Sequence, residues 1–107
     1  MKVTRVHYFL FERETNKVPL ANCFVVLDDC LKLDGIKLYD GSKGKYIVYP
    51  EKEKDKLKGE NRVRKNEYFH PVEKDFAMYL ESVIIEGYRK LIETGNLSYI
   101  PSEKGSD

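Results

Sequence analysis

The chain of 107 residues is poor in cysteine, has no large excess of charge of either sign and has no long apolar run. Its two cysteines, Cys23 and Cys30, are too few to staple a small disulfide scaffold, and their spacing gives no Cys-x-x-Cys redox or zinc pattern. No stretch approaches the ~18 apolar residues of a membrane span. The N-terminus has one early Lys and then alternates, so no signal peptide is read. Lys plus Arg number 19 and Asp plus Glu 18, a net charge of +1. That excludes the simple picture in which a strongly basic domain coats nucleic acid. Apolar residues make up 41% and aromatics 12%, a content that supports a packed core and argues against global disorder. The expectation is a cytoplasmic protein of one domain, without a membrane partner. A chain of this size buries only about two thirds of its unfolded surface, so its margin of stability is thin.

Residues 3–11 alternate. Val6, Tyr8 and Leu10 share one face, with Arg5, His7, Phe9 and Phe11 on the other, which predicts a strand. The polar run 12–17 reads as a turn. Residues 18–27 are more uniformly apolar, which places that strand centrally or under cover on both sides. Asp28-Asp29 fits a tight hairpin turn. In 31–39 the alternation slips by one residue at Gly35, the mark of a β-bulge or sharp bend. Residues 40–44, DGSKG, read as a loop, and 45–49 as a fourth strand ended by Pro50. Residues 67–69 are a candidate to rejoin the sheet.

Pro71 sits near the start of a helix expected over about 73–94. Phe76, Leu80, Val83, Ile84, Tyr88 and Leu91 form a stripe at steps of three and four, and Met78, Ile85 and Ile92 a second row at steps of seven. Gly95-Asn96 closes the helix. The fold class is therefore α+β: a small antiparallel sheet of four to five strands with one long C-terminal helix. Residues 1–95 form the single domain, with a charged excursion at 51–66, and 96–107 a flexible tail. One helix cannot cover a strand that is apolar on both sides, and the second helix row needs cover as well. A homodimer meets both needs.

Chemistry-bearing residues do not converge. His70 has no Cys, Asp or second His at ligand spacing and is read as a structural imidazole bonded to backbone where strand gives way to helix. Cys23 reads as a small buried apolar residue. Asp28 and Asp29 point apart in a turn and make no acid–base pair. Gly41-x-x-Gly44 lacks the Gly-Lys-Ser/Thr of a phosphate cradle and precedes a strand, not a helix. No catalytic residue, metal site, cofactor or small-molecule substrate is assigned.

The compositional break at 51–66, EKEKDKLKGENRVRKN, stands apart. Between 52 and 65 there are seven basic and three acidic residues, a local excess of +4. Lys52, Lys54, Lys56, Lys58, Arg62, Arg64 and Lys65 are the candidate contacts to nucleic-acid phosphates. If the segment is extended, the first four fall on one parity and Glu53 and Asp55 on the other. Mixed-charge runs also occur as solvated loops, and composition alone leaves both readings open. Tyr49 and Tyr68 are candidates for base stacking on a single strand, as well as for the core or the sheet surface.

The order of motifs resembles the SpoVG family (stage V sporulation protein G). GIKLYDGSKGKYIVYP (35–50) resembles its strand, Gly-x-x-Gly turn and strand-to-Pro segment, VTRV (3–6) its first strand, and YFHPV (68–72) its His-Pro-Ile element. The spacing from His70 to Tyr88 and Leu91 is similar too, so the likeness covers about 3–91. It implies a dimeric cytoplasmic regulator that binds DNA and also RNA and influences gene expression, septation and sporulation. The family's cationic contacts are attributed to the region after the strand-ending Pro and to the helix. Here Glu51-Lys52-Glu53-Lys54 replaces a Ser-Lys-Arg-like run, and Ala77 and Tyr79 stand where relatives often carry cations. Lys74, Arg89 and Lys90 are left as the helix contribution.

Overall fold

A computed structural model describes residues 1–12, 15, 17–52 and 67–101. The elements are β1 (Val3–Leu10), β2 (Ala21–Leu27), β3 (Leu31–Gly41), β4 (Gly44–Val48), α1 (Lys74–Thr94) and β5 (Ser98–Tyr99). They form one antiparallel sheet in the order β4-β3-β2-β1-β5. β2 is the central strand, as its two-sided apolar character requires.

The turns follow from local chemistry. Asp28 and Asp29 both take positive φ, 51° and 53°, and the Cys30 N–H donates to the Leu27 carbonyl at 2.9 Å. This primed turn matches the twist of the strands it joins, and Asp tolerates the left-handed region better than most residues. At Gly35 the β2–β3 register shifts between Cys23 and Phe24, with φ at 91°. The bulge preserves the inward phase: Leu33 pairs with Val25 before it and Ile36 with Cys23 after it.

α1 lies on the sheet face that carries Val6, Tyr8, Cys23, Val25, Ile36 and Leu38, all fully buried. Leu80, Ile84 and Leu91 descend onto it from the helix. Each such burial stabilises the fold by about 1.5–3 kcal/mol. Two hydrogen bonds fix the helix against β1. The Tyr8 hydroxyl donates to the Ile84 carbonyl at 2.7 Å, and the Val3 N–H donates to the Tyr79 hydroxyl at 2.9 Å. Gly87 makes the close approach possible, because a Cβ there would collide with the Tyr8 hydroxyl and the Tyr99 ring. The helix ends where the Gly95 N–H donates to the Leu91 carbonyl at 2.7 Å.

Two expectations change. The fifth strand is not 67–69, where Glu67 makes only an isolated bridge to Glu51. It is Ser98–Tyr99, which pairs with His7 and Val6 at the outer edge of β1. The segment after Gly95 is accordingly no loose tail as far as Tyr99: the Tyr8 N–H donates to the Leu97 carbonyl at 2.9 Å, and His7 Nδ1 shares a hydrogen bond with Ser98 Oγ at 3.0 Å. Residues 102–107 lie outside the described residues. The helix runs close to the expected bounds, from Lys74 to Thr94, after Glu73 in extended conformation. The second helix row stays in water in the single chain, with Met78 58% and Ile92 63% exposed.

Candidate nucleic-acid interface

β4 runs out at the edge of the sheet into Tyr49 and Pro50. The Tyr49 ring turns inward and meets Phe69 edge-on with centroids 6.0 Å apart. Burial, helped by Glu81 and Glu67, pushes its hydroxyl up to about 12. Tyr49 is thus a packing residue and not a free stacking platform. Beyond it, Glu51 and Glu67 form an antiparallel bridge, and the Tyr68 N–H donates to the Pro50 carbonyl at 2.8 Å. Glu51 and Glu67, which flank the basic segment in sequence, are therefore held side by side.

Of the seven candidate cations, Lys52 is described. It is exposed, with Nζ 5.9 Å from the centroid of the Tyr68 ring, which is 65% exposed. That distance is within reach of a cation–π attraction. Lys54, Lys56, Lys58, Arg62, Arg64 and Lys65 lie outside the described residues.

The helix cations divide. Arg89 is held in a fork by Glu86, at 2.6 and 3.2 Å, and by Glu93 at 2.8 Å. Its hydrogen bond to Glu86 raises the guanidinium's own titration and lowers that of the carboxylate. A guanidinium already satisfied by two carboxylates must exchange partners before it can hold a phosphate. Lys74 and Lys90 have no ion pair among the described residues. Tyr79, at one of the positions where the resembled family often carries a cation, is instead committed to the Val3 amide.

His70 is half-exposed, with Nδ1 3.6 Å from Glu67 Oε1. Its neighbour is a carboxylate and not the backbone group expected from the sequence. Among the described residues there is no cluster of His, Cys, Asp and Glu able to hold a metal. Cys23 is buried and Cys30 exposed, and neither is in a disulfide. Burial pushes the Cys23 thiol up to about 12, as befits a packing residue. No helix of the described residues is long and apolar enough to cross a membrane. Beside His70 an open, mostly apolar groove of about 430 Å³ runs between the start of α1 and the sheet, lined among others by Met1, Leu31, Val72 and Phe76.

One group of cations was not singled out from the sequence. Arg5, Lys32 and Lys37 stand on the sheet face turned away from α1, paired across the strands with Val26, Val26 and Asn22 respectively. The signal was present, since alternation already set Arg5 on the parity of His7 and Phe9.

The SpoVG family model matches residues 1–90. A protein of Borrelia hermsii (strain HS1 / DAH), bearing the name Putative septation protein SpoVG, is 34% identical over 97 residues, covering 84% of this chain and 88% of the relative. The family match takes in β1 to β4 and all but the last turn of α1, and with that extent the chain belongs to the SpoVG family.

Proposed function

We propose that this protein is a nucleic-acid-binding regulator that acts as a homodimer, without catalysis or cofactor, in the control of gene expression, septation or sporulation. Phosphates of DNA or RNA are contacted by Lys52, Lys54, Lys56, Lys58, Arg62, Arg64 and Lys65. The observation that carries the reading is the concentration of positive charge: an excess of +4 between 52 and 65 in a chain of net charge +1. The residues that flank it, Glu51 and Glu67, are bridged to each other. The family and the relative's printed name support a role in septation. Dimerisation is supported by the water-exposed Met78 and Ile92 on one row of α1. A twofold axis along that row gives them cover and sets two basic segments on one particle.

The test is a binding titration against salt, with duplex DNA, single-stranded DNA and RNA. Phosphate contacts give a linear fall of log affinity with log salt concentration, steeper with each contact. The triple change Arg62→Ala, Arg64→Ala and Lys65→Ala is expected to flatten that slope. Binding that ignores both salt and the substitutions overturns the reading. Sedimentation of the native protein at micromolar concentration is expected to give a dimer and that of Ile92→Glu a monomer. A well-folded native monomer overturns the dimer.

The groove beside His70 favours a second reading, a protein-interaction module in cell-division or sporulation control. Val72 at its rim is 93% exposed. Large exposed apolar side chains around a concave site mark docking surfaces. Purified protein that carries no nucleic acid and binds none in the titration favours this second reading.

A further inference from the structure

The sheet face opposite α1 carries an organised set of rings. His7 of β1 stacks on Phe24 of β2, with centroids 5.3 Å apart and planes 22° apart, and Phe9 meets the His7 ring at 4.8 Å. On the other side of the face, Tyr39 of β3 stacks on Tyr46 of β4 at 5.5 Å and 10°. Between the two groups lie Asn22 and Lys37, which are cross-strand partners. Strand spacing and rise set Phe9 and Tyr39 about 12 Å apart. Phe9 is 49% and Tyr46 44% exposed, and the single helix of the described residues packs on the other face.

Cations border the rings. The Lys32 ammonium sits 4.2 Å from the Phe24 centroid. Arg5 and Lys37 stand on the same face, and no ion pair among the described residues engages any of the three. Asp34, opposite Phe24, is the one acid among the strand residues on this face. The Asn22 side chain is half-buried at the centre, and its Oδ1 has no hydrogen-bond donor among the described residues.

We propose that this face binds single-stranded nucleic acid, with bases laid on the exposed rings of Phe9 and Tyr46 and phosphates held by Arg5, Lys32 and Lys37. The proposal rests on the nucleic-acid reading above and deepens it by naming the strandedness of the ligand and a second surface. Three observations select this occupant. Aromatic faces open to solvent accept any unpaired base, because every base has a π-face. A duplex keeps those faces stacked on one another and offers this surface only its edges. Two copies of this chain pressed together through the face would bring both sets of Arg5, Lys32 and Lys37 into one dry interface, and buried like charges oppose that.

The experiment is fluorescence anisotropy with a labelled single strand and a blunt duplex of the same length, on the full chain. Tyr46→Ser and Phe9→Ser are the probes, because both side chains are exposed and neither belongs to the core cluster. Each is expected to weaken single-strand binding by about tenfold, the typical effect of losing one base stack. Duplex binding and its salt slope stay unchanged. Tyr46→Phe, which keeps the ring, retains single-strand binding. The triple change at Arg62, Arg64 and Lys65 weakens both ligands, which separates the two surfaces.

Equal loss on both ligands, or no loss on either, overturns the proposal while leaving the basic segment's role standing. A change in sedimenting mass with Tyr46→Ser overturns it in favour of self-association. Native protein that binds neither ligand removes both readings together. Thermal melting of each variant beside the native chain confirms that the fold is intact.

Discussion

On the helix-facing side of the sheet Val6, Cys23, Val25, Ile36 and Leu38 are cut off from water, whereas on the other side Phe9 and Tyr46 keep close to half their surface exposed. The same strands supply both sides, with alternate residues pointing each way. The inner residues are apolar, and the polar atoms among them are either bonded, as in Tyr8, or carried by a thiol, as in Cys23. The outer residues mix rings, lysines and an amide. The division assigns stability to one face and leaves the other free to meet a partner, because removing an outer side chain opens no cavity.

Substitutions on the two faces put that division to the test. Leu80→Ala, on the helix and 1% exposed, is expected to cost about 2–5 kcal/mol, read as a fall in the urea midpoint with unchanged slope. Tyr46→Ser on the outer face loses the stack on Tyr39 and is expected to cost only about 0.5–1.5 kcal/mol in the same measurement. A comparable loss from both erases the distinction. Next comes Gly87→Ala. Alanine is the better helix former by about 1 kcal/mol, yet its methyl group meets Tyr8 and Tyr99. Overpacking of this kind costs about 1–3 kcal/mol, so a net destabilisation is expected. Tyr8→Phe keeps the ring and loses the bond to the Ile84 carbonyl, a smaller loss of about 0.5–1.5 kcal/mol by thermal melting.

The two thiols mark the same boundary. Cys30 in the hairpin turn is expected to react with a thiol reagent at pH 8 in the native protein, and Cys23 only after unfolding. Burial raises the Cys23 thiol from 9.0 to about 12, so the unfolded chain loses this proton more readily than the folded one. The stability that follows is complete below about pH 9 and is lost as pH rises toward 12. Titration of unfolding free energy across that range checks the sign.

Much of the fold was legible because the inward residues are so uniform. The phase slip at Gly35, the Asp28-Asp29 turn and the stripe from Phe76 to Leu91 each follow from periodicity, and each appears in the structure. β5 was not legible. Two residues are too few to show alternation, and its place comes from the Leu97 carbonyl finding the Tyr8 amide 89 positions away in sequence. The pairing of Gly87 with Tyr8 is long-range in the same way. Of the site, the clustering of basic residues at 52–65 was plain from composition. The neutralisation of Arg89 was also within reach, since Glu86 and Glu93 stand three and four residues from it on one helix face. What escaped was that the polar side of the sheet carries rings in stacked pairs, because cross-strand partners depend on register and not on spacing along the chain.

The bridge between Glu51 and Glu67 has a consequence for how such a protein can vary. The two ends of the intervening chain are pinned together by backbone contacts that do not depend on what lies between them. Doubling the length of a closed loop costs only about 0.6 kcal/mol. The length of the sequence between them, and the charge it carries, can therefore be rewritten at little entropic cost to the contacts that join Glu51 to Glu67 and Pro50 to Tyr68.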